Sequence, residues 1–260
     1  MNIKKYWLNF NKYKRLLKEL VAKDIKLKYR RSYLGILWTM LNPILMMLVL
    51  TAVFSTVFKN NIPNFPVYLL TGRILFDFYS QGSKDAMNSI MSGSALIKKV
   101  YIPKYIFPMS KVISAFVNLL FSLVALAVVM IITKTQVTWT IFLIPIPLMY
   151  LLIFTTGVGV LLSSLTVFFR DIQHLYSVIL TAWMYFTPLF YPAEIIPENM
   201  QFILQLNPLY HIVEMFRGLV MYGAIPSLQS NLICGVFSLT AFMLGLYVFY
   251  KQQDKFILYI

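Results

Sequence analysis

Long apolar stretches alternate along this chain with short polar or basic segments. Five stretches contain no Asp, Glu, Lys or Arg: 32–58, 112–133, 135–169, 175–193 and 218–250. Each can cross about 30 Å of hydrocarbon at about 1.5 Å per helical residue. A sixth stretch, 62–83, is interrupted only by Arg73 and Asp77. The pattern predicts six membrane-spanning helices, at roughly 34–58, 66–90, 110–133, 141–166, 174–192 and 230–250.

A different pattern precedes the first predicted span. Apolar side chains in this segment fall at heptad-like spacing, which Asp24 breaks, while lysines occupy the other faces. The apolar positions are Phe10, Tyr13, Leu17, Leu20 and Leu27, and the lysines are Lys12, Lys14, Lys18 and Lys23. We expect an amphipathic helix over 5–28 that lies in the membrane interface. This helix either anchors the chain on anionic lipid or also presents its polar face to a cytosolic partner.

The region 193–229 is apolar in places, but its pattern of prolines and charges is not that of a membrane span. Prolines are expected to divide it into short helices. The charged residues Glu198, Glu214 and Arg217 interrupt its apolar stretches. The prolines in and before this region are Pro188, Pro192, Pro197 and Pro208. We therefore expect a re-entrant hairpin that dips from the outer face, between spans five and six. The predicted fold is an all-α integral membrane protein with an interface segment, 1–31, and a six-span domain, 32–260.

Composition and charge agree with this fold. Hydrophobic residues make up 59% of the chain and charged residues 12%, which is unusual for a soluble domain. Eleven of the 23 Lys and Arg lie within 1–31. Seven more lie in the predicted cytoplasmic loops (91–109 and 167–174), at the start of span three or after span six. This asymmetry places both termini in the cytoplasm.

The net charge of +14 therefore indicates membrane orientation and contact with anionic lipid, not nucleic acid. Five basic residues cluster at the cytoplasmic end of span one, where we expect them to anchor the interface helix: Lys23, Lys26, Lys28, Arg30 and Arg31.

Catalytic and cofactor-binding motifs are missing from the sequence. It contains no phosphate-binding GxxxxGK[ST] loop and no GxGxxG cluster, and His174 and His211 are isolated. The single cysteine, Cys234, is expected to be a small residue facing lipid or another helix. We predict no enzyme, no metal site and no cofactor in this chain. Since Asp77 is the only clearly intramembrane acid, energy for uphill transport would come from a partner.

Two groups of residues are candidates for the lining of a channel. Arg73 and Asp77, four residues apart on one helix face, form either a structural pair near the outer interface or part of the pathway. The stretch WMYFTPLFYP, 183–192, either forms an interfacial belt and packs between helices or lines a pore, where flat rings can stack on sugars. Its candidates are Trp183, Tyr185, Phe186, Phe190 and Tyr191, and Trp38 of span one joins them. In that span Gly35 is expected to permit close helix approach and Pro43 to kink the helix.

Several motifs in a fixed order carry a family resemblance. They are YRRSYLGILWTMLNPIL, LIKKVYIPKYIFPMS, FFRDIQHL, FYPAEIIP and NPLYHIVEMFRGLV. This order resembles the membrane subunit of the ABC exporters that move lipid-linked polysaccharides, namely the O-antigen, capsule and teichoic-acid permeases. The resemblance covers essentially the whole chain.

The resemblance implies a homodimer of six-span subunits in the bacterial cytoplasmic membrane, with a separate ATPase on each that binds ATP and Mg²⁺. The cargo would be a glycan linked to a polyprenyl diphosphate. Leu96 to Pro103 resembles the loop that docks on the ATPase: Leu96, Ile97, Lys98, Lys99, Val100, Tyr101 and Pro103. Lys98 and Lys99 suit an acidic partner or lipid phosphate. Arg170 and Asp171 resemble the second cytoplasmic turn, where Asp171 either caps the next helix or couples to the ATPase.

Two other functions remain open at this point. A drug or small-lipid exporter of the same superfamily would use a similar subunit. A polytopic membrane enzyme or assembly factor would need polar catalytic residues clustered at one membrane face, and the sequence does not supply them.

Overall fold

The computed structural model describes residues 3–30, 32–58 and 62–260. Within these residues the chain is helical, without strands. The α-helices are α1 (Ile3–Tyr29), α2 (Trp38–Phe58), α3 (Phe65–Ser92), α4 (Ser94–Lys99), α5 (Ile106–Ile132), α6 (Pro145–Phe168), α7 (Ile172–Phe186), α8 (Gln201–Gln205), α9 (Pro208–Met221), α10 (Leu228–Gln252) and α11 (Phe256–Tyr259). Short 3-10 helices cover Gly35–Leu37, Trp139–Leu143, Ala193–Ile195, Glu198–Met200 and Gln253–Lys255.

Four helical segments are long and apolar enough to cross a membrane: Gly35–Phe54, Ile106–Ile132, Trp139–Phe168 and Leu228–Tyr259. They coincide with predicted spans one, three, four and six. The other two predicted spans correspond to α3, which carries charged residues, and α7, whose 15 residues reach about 22 Å.

Helix α3 lies at the centre of the bundle. It packs extensively on α5 and α6 and also contacts α2, α7 and α9. Its side chains are buried along its whole length, including Tyr68, Leu75 and Tyr79. A helix surrounded by protein can carry charges that lipid would not solvate, which explains why its composition is less apolar than that of its neighbours.

Helices α6 and α10 approach each other most closely at glycines. A Cβ added at Gly157 would lie 2.5 Å from the backbone carbon of Ala241, and one at Gly245 would collide with the Gly157 carbonyl. Small residues of this kind let two membrane helices pack backbone against backbone. Cys234 of α10 is fully buried, so of the two environments expected for it, lipid or another helix, the structure shows the second.

Gly35 makes no close helix approach within this chain, whereas Pro43 lies inside α2 as expected. A Cβ at Gly35 would meet nothing within 4 Å, so this glycine allows no close approach within the chain; its φ of +48° instead suits the turn before α2. Pro43 cannot donate to the Thr39 carbonyl. The Ser122 hydroxyl of α5 donates to that carbonyl at 3.2 Å and satisfies the acceptor.

The helix ends define two ends of the bundle. At the end we call the α9 end, the Asn64 side chain donates to Thr133 and Thr135, which joins the loops before α3 and after α5. At the opposite end, the α4 end, a second hydrophobic cluster lies apart from the main core. We call it the α4-end cluster; it contains Leu17, Ile90, Ile97, Ile102, Ile106, Phe107, Val160, Val167, Phe249 and Phe256.

Helix α1 packs on α5 at the α4 end. Leu17 is buried in the α4-end cluster, and Tyr13 and Leu20 pack against it. Asp24, which breaks the apolar pattern, accepts a hydrogen bond from Lys111 of α5 at 2.7 Å. Leu27 is 52% exposed, so it does not pack on the bundle and stays available to the membrane interface predicted for this helix.

The end of span five and the hairpin differ in length from the prediction. Helix α7 ends at Phe186, six residues before the predicted end, because Thr187 precedes a proline and is extended with φ −101° and ψ 123°. The prolines divide the region into short helices as predicted, but α9 is 14 residues long. The Asn207 side chain caps α9 by accepting from the backbone N–H groups of Leu209 and Tyr210.

Candidate functional site

Two loops at the α4 end present the residues predicted to couple to an ATPase. In the first loop Ile97 is buried in the α4-end cluster, while Lys98, Lys99 and Val100 are exposed. Tyr101 is 94% exposed. Leu96 and Pro103 are half-buried on either side. Apolar contacts of Ile97 thus attach the loop to the bundle, and Lys98, Lys99 and Tyr101 form a basic and aromatic outer surface.

The second loop connects α6 to α7 and consists of Phe169, Arg170 and Asp171. All three residues are exposed. Asp171 occupies the position before α7, but among the described residues its side chain makes no capping hydrogen bond. The expectation that it caps this helix is therefore wrong, and its role as a coupling residue stays a prediction.

The predicted interface anchors lie along the last turns of α1. Lys23, Lys26 and Arg30 are exposed, and Arg31 lies outside the described residues. Lys28 reaches Gln81 of α3 at 3.4 Å. Burial lowers the pKa of Lys28, and nearby Asp85 partly offsets this shift.

Arg73 and Asp77 form the predicted ion pair on α3. The Arg73 Nε and an Asp77 carboxylate oxygen lie 2.9 Å apart. The Arg73 side chain also contacts Met184 Sδ of α7 at 3.6 Å. The side chains are 21% and 47% exposed, so the pair opens onto the surface of this single chain.

Four of the five predicted aromatic residues line one groove of about 420 Å³ at the α9 end of α7. They are Tyr185, Phe186, Phe190 and Tyr191, with Phe54 of α2 and apolar residues of the hairpin opposite. Phe54 and Phe190 stack with ring centroids 6.3 Å apart. The aromatic stretch therefore contributes to a single apolar wall.

Two further candidates lie away from that wall. Trp183 points between α3 and α9, where its indole N–H donates to Asn207 at 2.8 Å and its ring meets Tyr79 edge-on. Trp38 begins α2 and is 44% exposed. The channel-lining role of both residues stays a prediction.

Arg217 is a residue whose importance the sequence analysis missed. It enters there only as a charge that interrupts the predicted hairpin, yet it is fully buried. Its guanidinium lies 3.6 Å from the centre of the Tyr68 ring, pairs with Glu214 at 2.9 Å and donates to the Pro188 carbonyl at 2.8 Å. Longer bonds of 3.3 Å reach the carbonyls of Tyr68 and Leu189.

A signal for this burial was present in the sequence. Leu209, Val213, Phe216 and Val220 recur at helical spacing, and Arg217 follows Val213 by four residues, on the same side of α9. A cation placed on an apolar face requires internal partners. Gly72 of α3 provides the space, because a Cβ there would lie 2.8 Å from the guanidinium.

The chain is similar to known transport proteins over nearly its whole length. The O-antigen export system permease protein RfbA of Myxococcus xanthus is 30% identical over 246 residues, which cover 94% of this chain and 95% of the relative. The polysialic acid transport protein KpsM of Escherichia coli is 25% identical, covering 90% and 92%. The capsule polysaccharide export inner-membrane protein CtrC of Neisseria meningitidis serogroup A is 23% identical, covering 90% of each chain.

A family model agrees with these relatives. The model described as ABC-2 type transporter matches residues 15–221, which include α2 to α9 and both loops of the α4 end. The four candidate spans are those of a multi-pass membrane protein. The chain therefore belongs to the ABC-2 type transporter family.

Proposed function

We propose that this chain is the membrane channel subunit of an ATP-driven exporter that moves lipid-linked polysaccharide across the bacterial cytoplasmic membrane. The observation that carries the proposal is the similarity, over 90% or more of both chains, to relatives named for O-antigen, polysialic acid and capsule export. The cargo would be a glycan on a polyprenyl diphosphate, of O-antigen, capsule or teichoic-acid type.

A separate ATPase would dock on the two loops of the α4 end and bind ATP and Mg²⁺. The exposed residues Lys98, Lys99, Tyr101 and Arg170 support this proposal, because they offer positive charge and apolar area on one side of the molecule. Lipid phosphate is the other acceptor for these lysines. The chain itself would bind no cofactor and catalyse no reaction.

The channel would be completed by a second copy of the chain. Exposed apolar residues along α2 and α7, such as Leu48, Val53 and Val178, support a partner in the membrane. The groove of Tyr185, Phe186, Phe190 and Tyr191 would then lie near the outer end of the path, where aromatic faces let sugars stack and slide.

The membrane arrangement would be six-span, with α3 and α7 as the second and fifth spans and α1 in the inner interface. The bonds from Asn64 to Thr133 and Thr135 support a crossing α3, because they join its start to the far end of α5. The region 193–229 would dip into the membrane from outside.

The experiment that tests the export function is depletion of the protein in its host. Lipid-linked glycan is then fractionated between the cytoplasmic face and the cell surface. We expect finished polymer to accumulate inside and to disappear from the surface, and its sugars identify the cargo. Unchanged surface glycan, in a host without a redundant exporter, would contradict the proposal and favour a drug or small-lipid exporter.

A further inference from the structure

The last residues of the chain fold back onto the α4 end. After α10 ends at Gln252, a 3-10 turn covers Gln253–Lys255 and α11 covers Phe256–Tyr259. Phe256 is fully buried, whereas Ile257 is 54% and Leu258 80% exposed. One face of this short segment is therefore fixed in the protein, and the other is open.

The buried face contacts the chain next to the first predicted docking loop. The Lys104 ammonium group, directly after Pro103, donates to the Gln253 carbonyl and lies 5.7 Å from the centre of the Phe256 ring. Phe256 also belongs to the α4-end cluster, which includes Ile97 of α4. The C-terminal segment thus contacts the residue that follows the first loop and shares a hydrophobic cluster with Ile97 of that loop.

The same segment contacts the start of the second loop. Phe168, the last residue of α6, meets the rings of Phe256 and Tyr259 edge-on, with centroids 5.9 Å and 4.9 Å apart. The Ser164 hydroxyl of α6 donates to the Gln252 side chain at 2.9 Å. Phe168 is followed at once by Phe169, Arg170 and Asp171, so the aromatic contacts lie directly next to the second loop.

We propose that residues 253–260 act as a brace that joins the two loops of the α4 end and makes them move together. Phe256 is the central positioning residue, because it contacts both Lys104 and Phe168. The proposal rests on the proposed docking of an ATPase on these loops. A displacement of either loop would then move both α6 and α10, and would not be confined to the loop itself.

Three variants test the brace. Phe256→Ala removes the central ring, and Leu258→Ala, at an 80% exposed position, is the matched control. Tyr259→Ala removes only the outer contact with Phe168 and is expected to fold even where Phe256→Ala does not. Surface glycan is measured in the host, and ATP hydrolysis is measured in the purified complex with its ATPase.

We expect Phe256→Ala to retain hydrolysis, while the ratio of surface glycan to hydrolysis rate, each relative to wild type, falls by about fivefold or more, which matches the low end of coupling between two sites. Tyr259→Ala shifts this ratio in the same direction by less, and Leu258→Ala leaves it unchanged. If Phe256→Ala reduces the amount of protein in the membrane, Tyr259→Ala decides the question. If Phe256→Ala folds and its ratio is normal, the inference is overturned. If Phe256→Ala does not fold, a normal ratio in Tyr259→Ala overturns it.

A distance measurement separates bracing from simple stabilisation. Spin labels are placed on Ala95→Cys and Phe169→Cys in a Cys234→Ala background, and the labelled subunit is diluted with unlabelled subunit. We expect the distribution of distances between the loops to broaden with Phe256→Ala and not with Leu258→Ala. An unchanged distribution overturns the brace. Failure of the wild-type protein to export glycan would instead contradict the proposed function.

Discussion

Charged side chains inside this bundle are held in two different ways. Arg217 is fully enclosed, and backbone carbonyls, Glu214 and the Tyr68 ring surround its guanidinium. Arg73 and Asp77 instead satisfy each other on one face of α3 and remain partly open. In the proposed six-span arrangement α3 crosses the membrane, and lipid solvates a half-exposed carboxylate poorly. We therefore expect the open side of this pair to face water or protein in the assembled transporter.

The Arg73–Asp77 pair predicts strong coupling between two substitutions. An unpaired Arg or Asp at the centre of a membrane helix costs about 2.5–3.5 kcal/mol. Asp77→Asn and Arg73→Gln should each lower the amount of folded protein in the membrane, and the double variant should recover most of the loss. The measurement is a double-mutant cycle on the thermal unfolding midpoint in detergent.

Export assays on the same variants distinguish the two roles left open for this pair. A purely structural pair predicts that the stable double variant exports normally. A pair that lines the pathway predicts that export stays low although stability recovers. Additive losses in stability would contradict the direct pairing of the two side chains.

At the scale of elements, Arg217 fastens the hairpin to α3. It joins α9 to the carbonyls of Pro188 and Leu189, while the Tyr68 hydroxyl donates to the carbonyl of Tyr191. The segment 188–191 carries Phe190 and Tyr191 of the aromatic groove. Arg217 therefore helps to position Phe190 and Tyr191 of the groove through its hydrogen bonds to the adjacent backbone.

Replacement of Arg217 should destabilise this connection. Arg217→Met removes the donor of the Leu189 carbonyl and leaves the Pro188 carbonyl with only the 3.4 Å bond from the Tyr68 hydroxyl. A buried polar group without a partner costs about 1–3 kcal/mol. We expect the thermal unfolding midpoint to fall clearly, and a maleimide to react faster with Phe190→Cys in a Cys234→Ala background. Arg217→Lys keeps the charge but has fewer donors and should be intermediate.

Glu214→Gln is the matched control for that prediction. The Glu214 side chain is 41% exposed, and Gln keeps an oxygen that can accept from the Arg217 guanidinium, so its neutralisation should have a small effect. Equal losses from Glu214→Gln and Arg217→Met would mean that the ion pair, and not the carbonyl contacts, holds the hairpin.

The sequence predicted elements more reliably than their ends and contacts. Charge-free stretches located α2, α5, α6 and α10, since hydropathy depends only on local composition. The end of α7 was missed although Pro188 marked it, because the apolar run continues past the helix. Arg217 was assigned to a loop because its partners on α3 and at 188–189 are distant in sequence.

The candidate site was predictable to a similar degree. The i, i+4 spacing gave the Arg73–Asp77 pair, and aromatic density gave most of the groove. The direction of each ring was not predictable, since Trp183 turns inward to Asn207 while Tyr185 is 60% exposed. Contacts with other helices determine the orientation of each aromatic ring, and a local sequence pattern does not contain those contacts.

At the scale of the whole molecule, function requires that the two ends face different compartments. The α4 end carries α1 and the basic loops, and the α9 end carries the hairpin and the aromatic groove. We propose that the α4 end, with its excess of Lys and Arg, faces the cytoplasm. This orientation, together with crossings by α3 and α7, can be tested in intact cells.

We predict the labelling of single cysteines by a membrane-impermeant maleimide in a Cys234→Ala background. Gln136→Cys and Glu198→Cys at the α9 end should react in intact cells, because both positions are exposed. Lys99→Cys and Arg170→Cys at the α4 end should react only after permeabilisation. The cysteine-free Cys234→Ala parent is the control for background labelling, and the wild-type protein should label little because native Cys234 is buried. Reaction of Lys99→Cys in intact cells would contradict the cytoplasmic placement of the α4 end and, with it, the proposed crossing by α3. Reaction of Arg170→Cys would place the second loop outside, where no cytosolic ATPase could reach it.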